Sequence, residues 1–414
     1  MAAVGTKRAL QESGSKQDVC KKRKDKCRVD NCLSYMGHIH KDVTENLLIV
    51  IMMELRNLID KRCSAFIKIN RLTVLNSNAI DGSSFSKAFC RISASNDEFS
   101  FVSLFNKGVE MLMTYIGDRE MPLDDQEKLV LDTLLHYLIK ITNENAQAPF
   151  GVLELLGETD VAIILANHLF GKLCTSSHFL IDKQGKGKCR SKESCPCANK
   201  DCQMTGSYGY TGIGNPSVWH GNLDVIVNNQ VAIEAIEDDP DCDSPGRTPM
   251  DEKGKSTCLS RNAQVIAETI VFSFLQKKRH PEYSHFLFPC IGVSRKEMVV
   301  YFYDSEHDVL LESSSIPLRT VEGNVNVVSI IVSWLVVNHK YFCGGLTEEL
   351  KKETSGFFCQ AEQALPIYEN QLQFGDIDVG ISWPKPKHRF NYVDDPSRVK
   401  TEKNWAEMIA KKLG

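Results

Sequence analysis

Asn222-Leu223-Asp224-Val225-Ile226-Val227-Asn228-Asn229-Gln230-Val231-Ala232-Ile233-Glu234-Ala235-Ile236 is the stretch on which the reading of this chain turns. Two apolar, β-branched runs flank a polar triplet, so the segment reads as an antiparallel hairpin turning through Asn228-Asn229-Gln230. With that turn Val227 pairs with Val231, and Asp224 falls opposite Glu234. Like charges facing each other across a hairpin, with Cβ atoms about 5 Å apart, destabilise it unless something positive lies between them. A divalent cation is the natural candidate.

Outward from the hairpin the pattern alternates between helix and strand. A helix is expected from Glu154 to Cys174, with Val161, Ile164, Leu165, Leu169 and Leu173 on its apolar face, followed by a strand through His178 to Ile181. Past the hairpin, Gln264 to Lys278 has the apolar spacing of an amphipathic helix, and strands fit 286–293, 298–303 and 309–311. Residues 325–337 fit a helix or, given their β-branched content, a strand. Polar insertions interrupt this series at 182–206 and 237–258. Around it lie a basic leader (1–40) expected to be disordered, a mostly α-helical region (41–148, with 76–97 read as loop), the α/β domain (149–345) and a C-terminal extension (346–414).

Composition narrows the function classes. The 414 residues carry a formal charge of -4, with 42% hydrophobic and 25% charged residues, so any nucleic-acid surface must be local. No apolar run is long enough for a membrane span, and fifteen cysteines without a small disulfide-rich module suit a reducing, intracellular setting. Lys7-Arg8 and Lys21-Lys22-Arg23-Lys24 are spaced like a bipartite nuclear-import signal and equally like a solvated basic tail, so a nuclear location is one of two expectations. Gly-rich phosphate loops, Gly-x-Ser-x-Gly elbows and His-Glu-x-x-His helices do not occur, which argues against a P-loop NTPase, that type of serine hydrolase and a zincin.

With the insertions set aside, the order is α-β-β-β-α-β with Asp224 and Glu234 at its centre, which resembles the core of the PD-(D/E)XK nuclease superfamily, a restriction-endonuclease-like fold on a mixed sheet. The resemblance covers roughly 150–300. It implies that Asp224, Glu234 and the carbonyl of Ala235 hold magnesium or manganese, that Gln264 stands for the second-helix Gln of some branches, and that Glu158, or else Glu154, supplies a first-helix carboxylate. Where the family has a catalytic lysine this chain has Ile236, which cannot stabilise developing negative charge. Lys255, Arg261, Lys277 and Lys278 are the cations that would have to substitute. The implied activity is that of a metal-dependent nuclease, or of a degenerate relative that binds nucleic acid, DNA ahead of RNA. The alternative is a non-catalytic protein-interaction module using the N-terminal helices and C-terminal extension.

Further side chains invite assignment. Cys189, Cys195, Cys197 and Cys202, with Cys174 and His178 nearby, form the densest group of thiols and are candidate zinc or iron-sulfur ligands, although C-x5-C-x-C-x4-C matches no standard signature. The same insertion carries Lys183, Lys186, Lys188, Arg190, Lys192 and Lys200, which reads either as a surface tracking a phosphate backbone or as a solvated loop. Cys20, Cys27, Cys32, His38 and His40 lack paired ligand spacing and are read as unrelated residues. Trp219-His220 is read as structural, and Asp304 to Asp308 as a tight, solvent-facing turn.

Overall fold

A computed structural model describes residues 43–63, 66–142, 144–176, 178–183, 195–197, 199, 202, 204, 206–236 and 258–376. The chain divides into two units between Thr44 and Glu45, and everything below concerns the second. The basic leader, Cys189, Lys255, Lys186, Lys188, Arg190, Lys192 and Lys200 lie outside the described residues, as do 377–414.

The elements, in chain order, are helix α1 (Glu45–Ile59), strands β1 (Lys68–Ser77) and β2 (Cys90–Ser100), and helices α2 (Asn106–Asp118), α3 (Asp125–Ile141), α4 (Glu144–Gly151) and α5 (Glu158–Leu165). Helix α5 runs on through a π-helical turn, Ala166–Phe170, into Gly171–Leu173. Strands β3 (Phe179–Asp182), β4 (Ser207–Gly209), β5 (Gly212–Gly214), β6 (His220–Asn222), β7 (Val225–Val227) and β8 (Val231–Ala235) follow. Helix α6 (Ala263–Arg279) then leads to β9 (Leu287–Val293), β10 (Glu297–Asp304), β11 (Val309–Ser313) and β12 (Ile316–Pro317). Helices α7 (Val327–Val337), α8 (His339–Phe342), α9 (Phe357–Gln360) and α10 (Leu365–Asn370), and strand β13 (Gln373–Phe374), close the described chain.

A ten-stranded sheet runs β2-β1-β11-β10-β9-β8-β7-β3-β4 with β12 on β10, and a small second sheet runs β13-β5-β6. The sheet is mixed: β8 pairs β9 and β3 pairs β4 in parallel, and the other pairs are antiparallel. Both faces are buried, which is why the central strands read as nearly continuous apolar runs. Leu180, Ile226, Ala232, Cys290, Tyr301 and Tyr303 pack with α6, while on the opposite pleat Phe302 meets Phe101 and Phe105. Among the described residues no helix is long and apolar enough to cross a membrane.

Local chemistry accounts for the elements that matter most. The hairpin has the expected register, with Val227 opposite Val231 and Val225 opposite Ile233. Asn228 and Asn229 take φ of 52° and 58°, a region Asn tolerates better than most residues, and the Gln230 N–H donates to the Val227 carbonyl at 3.1 Å. Helix α6 is opened by the Asn262 side chain, which accepts from the Gln264 and Val265 N–H groups, and ends on Lys277, Lys278 and Arg279. Residues 327–337 are helical despite their β-branched content, because Asn326 caps the first turn and the whole segment is buried.

Two regional expectations need correction. Helices do occupy more of the 41–148 region than strands, but 68–77 and 90–100 form the hairpin β1–β2, which joins the large sheet through β11 and claims residues 76–77 and 90–97 of the stretch read as loop. Its outer strand alternates exposed and half-buried polar residues, an edge pattern that lacks the apolar run of a central strand. Nor is 346–376 an extension: Phe357 and Tyr368 are fully buried, and Trp219 stacks on Phe357 with centroids 5.7 Å apart. The turn at Asp304–Asp308 is tight and faces solvent only through Glu306 and His307. Asp304 and Asp308 are buried, and Asp308 accepts from Tyr303 Oη, Ser355 Oγ and the Phe358 N–H.

Candidate functional site

Asp224 ends the loop that leads into β7, and Glu234 lies on β8, so the hairpin register sets them opposite each other. Alternation along the strands points Asp224 to the side of Ile226 and Glu234 to the side of Ala232, the face covered by α6. The two acids are interlaced through the backbone. The Asp224 N–H donates to Glu234 Oε2 at 3.1 Å, and the Ala235 N–H donates to Asp224 Oδ2 at 3.0 Å. The Asp224 carbonyl accepts from the Asp182 N–H at 2.9 Å, which ties the site to β3. Beside Glu234 on β9 stands Gly292, so no side chain crowds the carboxylate from that strand.

Helix α6 closes the group. Gln264 Nε2 donates to Glu234 Oε1 at 2.6 Å and to Glu268 Oε1 at 3.1 Å, one amide nitrogen serving two carboxyl groups. Glu268 is fully buried, and its Oε2 has no hydrogen-bond partner among the described residues. Burial above all, and then the negative charge of Asp224, holds its carboxyl well above the usual range, against the opposing bond from Gln264. Such burial disfavours the charged form of the carboxyl unless a cation lies beside it.

Of the sequence-based site residues, Asp224, Glu234 and Gln264 come together, with Ala235 contributing its N–H to the same group. Glu158 is the half-buried first residue of α5, whose helix packs on β8, while Glu154 turns to Arg319 at 3.5 Å. Glu268 was not anticipated. It lies one helical turn beyond Gln264, and that spacing was the available signal.

Ile236 occupies the position after Glu234 on the same pleat and packs against the apolar core under α6. Neither lysine of α6 can replace the missing ammonium there. Lys277 and Lys278 lie thirteen and fourteen residues beyond Gln264, about 20 Å along the helix, and they bond to the Ser305 and Asn370 carbonyls. Arg261 presents its backbone N–H to Glu312. Trp219 and His220 are structural, as expected: Trp219 is buried with Nε1 donating to Asn78 Oδ1 at 2.9 Å, and His220 Nδ1 lies 2.9 Å from the Val218 carbonyl.

A second group of side chains lies at α5. His168, Cys195, Cys197 and Cys202 bring their ligand atoms within 4.8 Å of one another and could hold a metal ion. It is the only such cluster among the described residues. His168 Nε2 lies 3.3 Å from Cys195 Sγ and 3.4 Å from Cys202 Sγ, and Asn167 Nδ2 donates to Cys202 Sγ at 3.4 Å. A bond from Cys202, helped by His168, pulls the Cys195 thiol down to about 3 against the effect of burial, and the same bond pushes the Cys202 thiol up. Three expected thiols thus converge, but the fourth ligand is a histidine from the helix. Cys174 is buried and is not one of the four.

No protein-family model, curated protein or solved structure matches this chain.

Proposed function

We propose that the α/β unit is a nuclease-like domain of the PD-(D/E)XK kind, in which Asp224, Glu234 and the Ala235 carbonyl hold a magnesium or manganese ion against a nucleic-acid backbone. The observation that carries this reading is the convergence of Asp224, Glu234, Gln264 and Glu268 at the hairpin's open end under the start of α6. The connectivity supports it. Helix α5, strand β3, hairpin β7–β8, helix α6 and parallel strand β9 follow the α-β-β-β-α-β order.

The donor set fits a hard divalent cation. All the polar atoms offered are oxygens, and the unpartnered Glu268 Oε2 is a buried acceptor within that group. Such an ion, when bound, lowers the pKa of water and neutralises charge on a phosphodiester. The chain's own residues do the positioning. Backbone N–H groups of Asp224 and Ala235 fix the orientation of both carboxylates. Gln264 holds Glu234 and Glu268 together, and the raised pKa of the buried Glu268 couples cation binding to loss of its proton. Ile236 supplies no proton and no charge, so the ammonium that the family uses to activate water is not provided at the position where the family carries it.

Cleavage of linear duplex DNA, single-stranded DNA and RNA in Mg²⁺ or Mn²⁺ tests the reading, with Glu234→Ala as control. Cleavage that falls about 100-fold or more in the variant supports a working nuclease. Metal-dependent binding without cleavage, lost in the variant, identifies the degenerate relative. Equal behaviour of the two proteins, or neither binding nor cleavage, overturns the proposal.

A further inference from the structure

We infer that His168, Cys195, Cys197 and Cys202 form a closed, structural zinc site that fastens the 183–206 insertion to helix α5. The inference does not depend on whether the carboxylate group cleaves anything.

Distances favour this metal. In a tetrahedral site with Zn–S near 2.3 Å and Zn–N near 2.0–2.1 Å, the nitrogen and each sulfur stand about 3.6 Å apart and two sulfurs about 3.8 Å. The observed nitrogen-to-sulfur separations of 3.3 and 3.4 Å, and the 4.8 Å limit on the whole set, lie close to that frame. Three thiols and one imidazole suit a borderline-soft cation better than magnesium or calcium. An iron-sulfur cubane spreads its protein ligands over separate irons, and this set is too tightly gathered for that. Four protein ligands leave no open position, which is the mark of a structural ion.

The surroundings are built for it. Asn167 and His168 both lie in the π-helical turn Ala166–Phe170, a local widening that recurs where a helix serves a site, and both reach the sulfurs from there. Asn167, 1% exposed, donates to Cys202 from behind, the position of a group that orients a ligand.

Topology supplies the reason for an ion here. Strands β3 and β4 are parallel neighbours, so the chain must cross over between them, and a parallel pair commonly uses a packed helix for that purpose. In this chain the crossover is the insertion itself. One ligand comes from the helix before β3 and three come from the crossover, so the ion closes the loop upon its own scaffold. The exit of the loop is equally confined: a Cβ on Gly206 would lie 2.1 Å from the Phe179 ring.

Metal analysis of the purified full-length chain, grown with zinc and iron both supplied, tests the site. One zinc per chain is expected in the wild type and in Cys189→Ser. H168A and C202S should lose zinc to a competing chelator with at least about tenfold lower affinity. Chelation should also speed tryptic cleavage within the insertion while leaving far-UV circular dichroism nearly unchanged. Should the variants fail to fold, the cobalt-substituted wild type still decides, because a Cys₃His site must show thiolate-to-cobalt charge transfer and tetrahedral d–d bands. Absence of those bands, iron in place of zinc, or zinc lost in Cys189→Ser but kept in H168A overturns the assignment.

Discussion

The carboxylate group and the thiol group draw on neighbouring parts of one sheet but are assembled by opposite means. Asp224 and Glu234 are placed by strand register, and each is held by the other's stretch of backbone, so their geometry follows once β7 and β8 pair. Cys195, Cys197 and Cys202 come from the connection between β3 and β4, and their sulfurs meet the His168 imidazole through side chains. On the proposed readings, the first site is prefabricated by the fold and would tune a ligand, whereas the second would be fixed by its ligand. Hard oxygens on a rigid hairpin and soft sulfurs on an insertion thus divide two different tasks.

The largest expected effect falls on the hairpin side alone. Trp219 is fully buried, stacked on Phe357 and bonded to Asn78, and it anchors the strand that leads into Asp224. Trp219→Ala should cost about 3–5 kcal/mol in urea unfolding and yet leave zinc content per folded chain unchanged. Loss of zinc at native conditions would show that the two sites are not independently assembled.

A mid-sized effect lies in pH. Burial raises the folded-state pKa of Glu268 well above the ordinary value of 4.5, so its contribution to stability is complete below that value and drains away as pH rises through the folded pKa. The slope approaches about 1.4 kcal/mol per pH unit where the unfolded chain is ionised and the folded one is not. Glu268→Gln removes the ionisation, so its stability relative to the wild type should climb as pH rises above about 4.5, the ordinary carboxyl value. Added Mg²⁺ should shrink that climb, because it stabilises only the wild-type carboxylate. Parallel pH profiles for the two proteins would break the reading of the carboxylate group as a proton store.

The smallest effect tests the turn. At Asn229, with φ of 58°, alanine should cost roughly 1 kcal/mol through left-handed strain, and glycine should stay within about 0.5 kcal/mol of wild type in thermal melts. Equal melting of both variants would show that the turn does not hold the register of Asp224 and Glu234.

What could be read in advance follows from which forces are local. Alternating Val and Ile, with Asn-Asn between them, announced the hairpin, and the apolar spacing of Val265, Ile266, Ile270 and Val271 announced α6, because period and turn chemistry act over a few residues. The strand at 90–100 was hidden, since its exposed polar residues look like loop until β1 is there to pair with them, and β1 itself needs β11, far along the chain, on its other edge. His168 was hidden for a related reason. Its neighbours Leu165 and Leu169 satisfy a helix pattern, and nothing along the chain signals the π turn or three cysteines arriving from later residues. Phe357 and Tyr368 read as part of an extension because the rings they cover, Trp219 and Phe274, are remote in sequence.

The pairing of β1 with β11 also sets a timetable for synthesis. Ile69 finds Ser313 as its partner, more than two hundred residues later. At ribosomal rates of ~5–20 residues per second, the hairpin β1–β2 must wait on the order of 10–50 s after it emerges before its inner edge can be covered. Long-range pairing of this kind slows folding and leaves strand edges open to other chains. On the outer edge Arg91, Asp97 and Glu98 of β2 place charges of both signs where a neighbouring nascent chain would have to dock. The inner edge of β1 carries Arg71, which ends up 6% exposed between Asp97 and Glu353, so this charge gains one of its two partners only after synthesis has passed the whole of β11.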